Sequence, residues 1–222
     1  MRRISIAIDG PAGAGKSTIA RIIADKLNIE YIDTGAMYRA VTLKFLRKGI
    51  DLDNDYDKIS NILSYTDINF EKGKIYLDDE DVSEEIRLPE IGKYVSRVAA
   101  MPEVREKLVK LQREIALKKS VIMDGRDIGT NVLMNADVKI FLIASAEERA
   151  RRRYTELHEK GIEVSFDEIY KEIENRDYID STRKINPLRK AEDAITIDSS
   201  NKTINEVVED ILLIIRNKCA GC

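Results

Sequence analysis

Gly10-Pro11-Ala12-Gly13-Ala14-Gly15-Lys16-Ser17-Thr18 is the stretch on which the fold turns. It has the form G-x-x-x-x-G-K-[ST]. Before it stands a short apolar run, residues 4–8, closed by Asp9; after it Ile19, Ile22, Ile23 and Leu27 recur on one helical face. A strand, a glycine-rich loop and a helix in that order make a phosphate cradle, because the glycines let backbone N–H groups converge on an oxyanion without Cβ clashes. Lys16 then reaches the β- and γ-phosphates, the Ser17 hydroxyl ligates Mg2+, and the helix that follows adds its positive end. A guanine-reading switch needs Asn-Lys-x-Asp, and the nearest match, Asn201-Lys202-Thr203-Ile204, lacks the carboxylate.

Outward from the loop, β-type runs alternate with helical patterns. Residues 4–8, 29–32, 121–123, 138–143 and 195–197 read as strands. Residues 17–27, 36–46, 56–64, 104–117, 146–160, 167–177 and 204–215 read as helices. The expected fold is α/β, a five-stranded parallel sheet flanked by helices. One segment breaks the alternation: residues 68–70 and 75–77 flank Glu71-Lys72-Gly73-Lys74 as a β-hairpin. The organisation expected is a core of residues 1–65 and 95–222, an antiparallel insert at 66–94, and a short helical lid at 146–182.

Composition narrows the class. At 222 residues and 43% hydrophobic the chain suits one α/β domain with a small insert. A net charge of −3 argues against a dedicated nucleic-acid binder. The apolar run at 4–8 is shorter than the about 7–15 residues of a secretory leader, and the runs at 140–144 and 211–215 are too short to span a bilayer. Cys219 and Cys222 lie in the final residues, where neither a four-ligand zinc site nor a helix-opening redox motif is in view. A soluble cytoplasmic monomer without a membrane partner is expected.

Three further clusters suit an anion beside the γ-phosphate. Asp33-Thr34-Gly35-Ala36-Met37-Tyr38-Arg39 and Asp124-Gly125-Arg126-Asp127-Ile128-Gly129-Thr130 each follow a strand, where parallel sheets bind ligands. Arg176-Asp177, Asp180 and Arg183 close a helix. Alone, each could be a structural ion pair; together they read as an acceptor site. Ala146-Glu147-Glu148-Arg149-Ala150-Arg151-Arg152-Arg153 concentrates positive charge on a helix where Glu147–Arg151 and Glu148–Arg152 have i,i+4 spacing. Arg149 and Arg153, four apart on one face, are the candidates for clamping ATP phosphates from a lid.

Taken together, IDGPAGAGKST, DTGAMYR, SRVAAMPEVR, DGRDIGT and RDYIDSTR…NPL resemble the bacterial-type cytidylate kinases along almost the whole chain. The resemblance implies a nucleoside-monophosphate-kinase core, a monophosphate-binding insert where the hairpin falls, and Mg2+-dependent transfer from ATP to CMP or dCMP. It implies that Gly10, Pro11, Ala12, Gly13, Ala14, Gly15, Lys16, Ser17 and Thr18 hold ATP, and that Thr34, Tyr38 and Arg39 line the acceptor site. Ser96, Arg105 and Asp127 would face cytosine, Arg126 and Arg183 the acceptor phosphate, and Arg176 and Asp180 the ribose hydroxyls. Lys16, Arg126 and Arg183 would carry the catalysis. A kinase for another small molecule and a nucleotide-dependent switch are the alternative readings; the Cys219–Cys222 tail is outside the family pattern.

Overall fold

In chain order the elements begin with β1 (Ser5–Asp9), α1 (Lys16–Leu27), β2 (Glu30–Asp33), α2 (Thr34–Arg47) and α3 (Tyr56–Ser64). The short strands β3 (Ile68–Glu71), β4 (Lys74–Leu77) and β5 (Glu80–Asp81) follow, then α4 (Pro89–Val98) and α5 (Pro102–Lys118). The chain continues through β6 (Val121–Gly125), β7 (Val138–Ile143), α6 (Ala146–Glu159), α7 (Phe166–Thr182), β8 (Ile195–Asp198) and α8 (Ile204–Lys218). A computed structural model describes residues 3–71, 73–159 and 161–219. They form two compact units, Met1–Tyr31 with Lys119–Cys222, and Ile32–Lys118.

The first unit is built on the five-stranded parallel sheet, in the order β2-β6-β1-β7-β8. Ile6 stands opposite Ile122 on one side and Val138 on the other, which sets the register of the central strands. These strands read as nearly continuous apolar runs because helices cover both faces. Ile6, Ile8, Ile19, Ile23, Ile140, Leu142, Val207 and Ile211 form one core between sheet and helices. Each such side chain, fully buried, contributes roughly 1.5–3 kcal/mol. A smaller cluster, Ala150, Leu157, Ile169 and Ile173, with Tyr154 and Phe166 against it, fastens α6 to α7. The parallel arrangement brings the loops after β1, β6, β7 and β8 to one edge of the sheet.

In the second unit α2 packs against α4, α5 and β4. The antiparallel sheet β3-β4-β5 pairs Ile68 with Leu77 and Phe70 with Ile75. Ile68, Ile75, Leu77, Val82 and Ile86 are buried. Arg47 at the end of α2 holds Glu80 with a bidentate fork and also pairs with Glu85. The buried ammonium of Lys44 meets Asp78 at 2.7 Å.

Several boundaries differ from the sequence expectation, each for a local reason. Helix α2 starts at Thr34 rather than 36, because Asp33 caps it by accepting from the Ala36 N–H at 2.8 Å. Helix α7 runs on through Thr182 rather than ending at 177, starting from a capping box of Ser165 and Glu168. Helix α4 was not expected; Pro89 opens it at its first position, and Ile91, Val95 and Val98 give it an i, i+4, i+7 buried stripe. Residues 128–132 form a single π-helical turn. Cys219 caps α8 by donating its N–H to the Ile215 carbonyl, whereas Lys72, Lys160 and Cys222 lie outside the described residues.

Candidate functional site

The glycine loop leaves β1 through a position that admits no side chain. A Cβ on Gly10 would lie 2.0 Å from the Leu142 carbonyl oxygen, so the loop can pass over β7 only as glycine. Gly15, at φ 91°, turns the chain into α1 as its N-cap, with no acidic side chain in the first turn to consume the helix's N–H groups. Lys16 is 5% exposed and donates to the Pro11 carbonyl at 2.7 Å, curling back over the loop. Burial, and then the nearby charge of Arg126, push its ammonium down to about 7; Asp124 and Asp9 oppose that shift, and Arg176 adds to it. Clustered cations of this kind raise the free energy of the charged state until an anion arrives.

Beside the loop, Ser17 Oγ donates to Asp124 Oδ2 at 2.9 Å, and the Tyr31 hydroxyl donates to Asp124 Oδ1, also at 2.9 Å. A hydroxyl and a carboxylate at the end of a buried strand are hard oxygen donors. Such a pair suits a divalent cation like Mg2+, which takes one or two protein oxygens and completes its shell with phosphate and water. In the sequence Asp124 stood only as the first residue of an acceptor-side cluster, not as a partner of Ser17, and Tyr31 was not singled out. A carboxylate ending the apolar run Val121–Met123 was the available signal for the first; Tyr31 carried none.

Next to this lies an arginine–aspartate centre in the same unit. Arg126 Nε donates to Asp180 Oδ2 at 2.8 Å, and Arg183 Nη2 donates to Asp127 Oδ1 at 3.0 Å. Arg183 Nε is held by the Asn186 carbonyl at 2.8 Å. Burial alone would raise the Asp180 carboxyl, but Arg126, Arg176 and Arg183 together hold it below its ordinary value. Arg176, Asp180 and Arg183 follow at i, i+4 and i+7, one face of α7 and its cap. Asp127 also accepts from Asn131 Nδ2 at 3.1 Å.

On α6 the arginines divide. Arg149 is buried and fully engaged: its Nε donates to the Ala144 carbonyl, its Nη1 to the Ala12 carbonyl, and both Nη atoms to Asp177. Arg152 ties Glu148 and the Ser199 carbonyl. Arg151 and Arg153 pair with Glu147 and Glu156 at more exposed positions. Arg149 and Arg153 therefore sit in different environments, one locked to the glycine loop and one 40% exposed. His158 stacks on Tyr154.

The second unit holds the remaining candidates. Thr34 is buried at the start of α2. The guanidinium of Arg105, itself 3% exposed, lies 5.7 Å from the centroid of the Tyr38 ring and donates to the Ala99 carbonyl. Arg39 donates to the Ile86 carbonyl at 3.3 Å, and Ser96 is half-buried on α4. Gln112, two turns beyond Arg105 on α5, is buried with its Nε2 against Met37 Sδ and was not anticipated.

Comparison with known proteins gives a consistent picture. The family model for cytidylate kinase matches residues 6–217. A cytidylate kinase of Alkaliphilus oremlandii is 58% identical over 216 residues, 97% of this chain and 99% of that protein. One of Carboxydothermus hydrogenoformans is 55% identical over 217 residues, 96% of this chain and 97% of that protein. Among solved structures, an uncharacterized protein from Eubacterium ventriosum aligns with TM-score 0.55 at 16% identity, covering 97% of this chain and 99% of that one. Shikimate kinase from Acinetobacter baumannii, in complex with shikimate, aligns with TM-score 0.50 at 17% identity, covering 98% and 96%. At those identities the structural likeness speaks for the fold.

Proposed function

The chain belongs to the cytidylate kinase family, and from that membership we propose that it transfers the γ-phosphoryl group of ATP to CMP or dCMP, with Mg2+ as the accompanying cation. The observation that carries the reading at the level of chemistry is the crowding of Arg126 and Arg176 around the buried Lys16 at the glycine loop, where the two arginines add to burial in depressing the Lys16 ammonium. Two polyanionic substrates relieve that repulsion, and a transfer between them needs that charge.

No general base is required, because the attacking group is a phosphate oxygen whose second pKa is about 6. The protein's task is to bring two anions together in line and to exclude water. Lys16 and the N–H groups of the glycine loop hold the donor phosphates. Ser17 and Asp124 would supply the oxygens to hold Mg2+, which would supply positive charge against that developing on the phosphates. Arg126 and Arg183 meet the acceptor phosphate, giving up their present partners Asp180 and Asp127 in part. Arg176 and Asp180 then take the ribose hydroxyls, with Thr34, Tyr38 and Arg39 along the acceptor.

Base choice rests on Asp127, Arg105 and Ser96. Cytosine offers an amino donor at N4 with acceptors at N3 and O2, groups that a carboxylate, a guanidinium and a hydroxyl complement. Uracil reverses donor and acceptor at two positions and leaves buried groups unmatched. In the same reading residues 66–94 bind the monophosphate, residues 146–182 close over ATP with Arg149 and Arg153, and the enzyme acts as a cytoplasmic monomer without nucleic-acid or membrane partners. Product analysis tests the transfer: incubation with Mg-ATP and CMP should yield CDP and ADP in equal amounts on anion-exchange chromatography. ADP without CDP would contradict it.

A further inference from the structure

Asp9, the last residue of β1, is 4% exposed, and its carboxylate is spent on a distant loop rather than on the glycine loop it precedes. Its Oδ1 accepts from the Ile128 N–H at 2.8 Å, and its Oδ2 from the Gly129 N–H at 2.7 Å. These are the opening N–H groups of the π-helical turn at residues 128–132, which have no partner within their own turn and receive no cap from Asp127. A carboxylate 119 residues away therefore caps the turn. The fit is close: a Cβ on Gly129 would lie 3.4 Å from Asp9 Oδ2 and 3.1 Å from Lys139 Cδ. Lys139 is in turn held by the Met134 carbonyl and Asp193.

The capped turn carries the Asp127 side chain at its start, where Arg183 and Asn131 also reach it. The loop from β6 to the turn is thus held by a carboxylate rooted in β1, the strand that leads into the glycine loop. We infer that Asp9 is a positioning residue for acceptor recognition: by fixing the backbone at 128–129 it sets where Asp127 and Arg126 stand toward the nucleoside monophosphate. The inference rests on the reading of Asp127 as a base-facing group. The groups around the Asp9 carboxylate are Lys16 and Asp127, with the stem of Lys139 across Gly129.

Asp9→Asn separates this role from mere folding. The carboxamide keeps one acceptor for one N–H and turns an N–H2 donor toward the other, so the turn lifts without a change in volume. Steady-state kinetics on the intact chain should show the KM for CMP rising about tenfold and the CMP-over-UMP preference in kcat/KM falling about tenfold. The KM for ATP should move by less than about threefold. Gly129→Ala presses a Cβ against the Lys139 stem and Asp9 Oδ2, and so crowds the same turn while keeping the carboxylate; it should give the same split at smaller size, and it decides the matter if Asp9→Asn does not fold. KM values for CMP and ATP that rise together, or a preference that both variants keep, would overturn the role of Asp9 alone. A parent protein that does not favour CMP over UMP would overturn the base-reading site, and this inference with it.

Discussion

Arg149 grips Asp177 as a two-pronged fork, Nη1 to Oδ1 at 3.0 Å and Nη2 to Oδ2 at 2.6 Å, and so ties α6 to α7. The same Nη1 reaches the Ala12 carbonyl of the glycine loop at 3.0 Å. The guanidinium is thus a bolt between α7, which carries Arg176 and Asp180, and the glycine loop after β1. Its rigid planar donors match this geometry, which a lysine cannot reproduce.

Arg149→Lys should therefore cost stability on the order of 1–3 kcal/mol and raise the KM for ATP about tenfold. Thermal unfolding with and without ATP, alongside steady-state kinetics, reads both effects. An unchanged melting temperature and unchanged KM would show that the fork is dispensable.

The Ser17–Asp124–Tyr31 chain orients a carboxylate by both of its oxygens. Asp124→Asn should lower kcat by about a hundredfold and raise the Mg2+ concentration needed for half-maximal rate. Tyr31→Phe removes only the orienting hydroxyl, and should shift the Mg2+ requirement about three- to tenfold with little change in saturated rate. Titrating Mg2+ at fixed ATP separates the two variants.

Burial, and then the charge of Arg126, push the Lys16 ammonium from its ordinary 10.5 down to about 7. At pH 8 it is largely neutral before ATP binds, and the phosphates should return its proton. Calorimetry in buffers of different ionisation enthalpy should find close to one more proton taken up per ATP by the parent than by Lys16→Met at pH 8. At pH 6, where the amine is already charged, that difference should shrink toward zero.

The Asp9 carboxyl titrates near 6, raised from its ordinary 3.8 chiefly by burial against the opposing backbone hydrogen bonds. A folded-state value above the unfolded one means that its contribution to stability is full below about pH 4 and lost as pH rises through 6, by up to about 3 kcal/mol. The stability difference between parent and Asp9→Asn should follow that slope between pH 4 and 7. A flat difference would show that the carboxyl is ionised throughout.

Much of this molecule is legible in the sequence because its signals are local. The strand–glycine loop–helix order places the cradle, and runs such as Ile140–Ile143 announce buried strands. Helix α4 was missed although Ile91, Val95 and Val98 have helical spacing, because residues 66–94 read as one antiparallel insert; Pro89 occupies the first turn of the helix, where its missing N–H costs nothing. Long-range partnerships are of another kind. Helical phase puts Arg149 and Arg153 on one face, yet which of them finds Asp177 and Ala12 depends on how α6 meets α7 and the loop. Asp9 looks like a strand's closing residue, and nothing local shows that its carboxylate serves residues 128 and 129.

The most direct measurement is a coupled ADP-release assay with Mg-ATP and, separately, CMP, dCMP, UMP, AMP and no acceptor. Strong turnover with CMP and dCMP, little with UMP, less with AMP and almost none without acceptor is the result expected. Equal rates with every acceptor, or ATP hydrolysis indifferent to them, would leave the phosphate cradle standing and contradict the assignment of cytidine monophosphates as its acceptors.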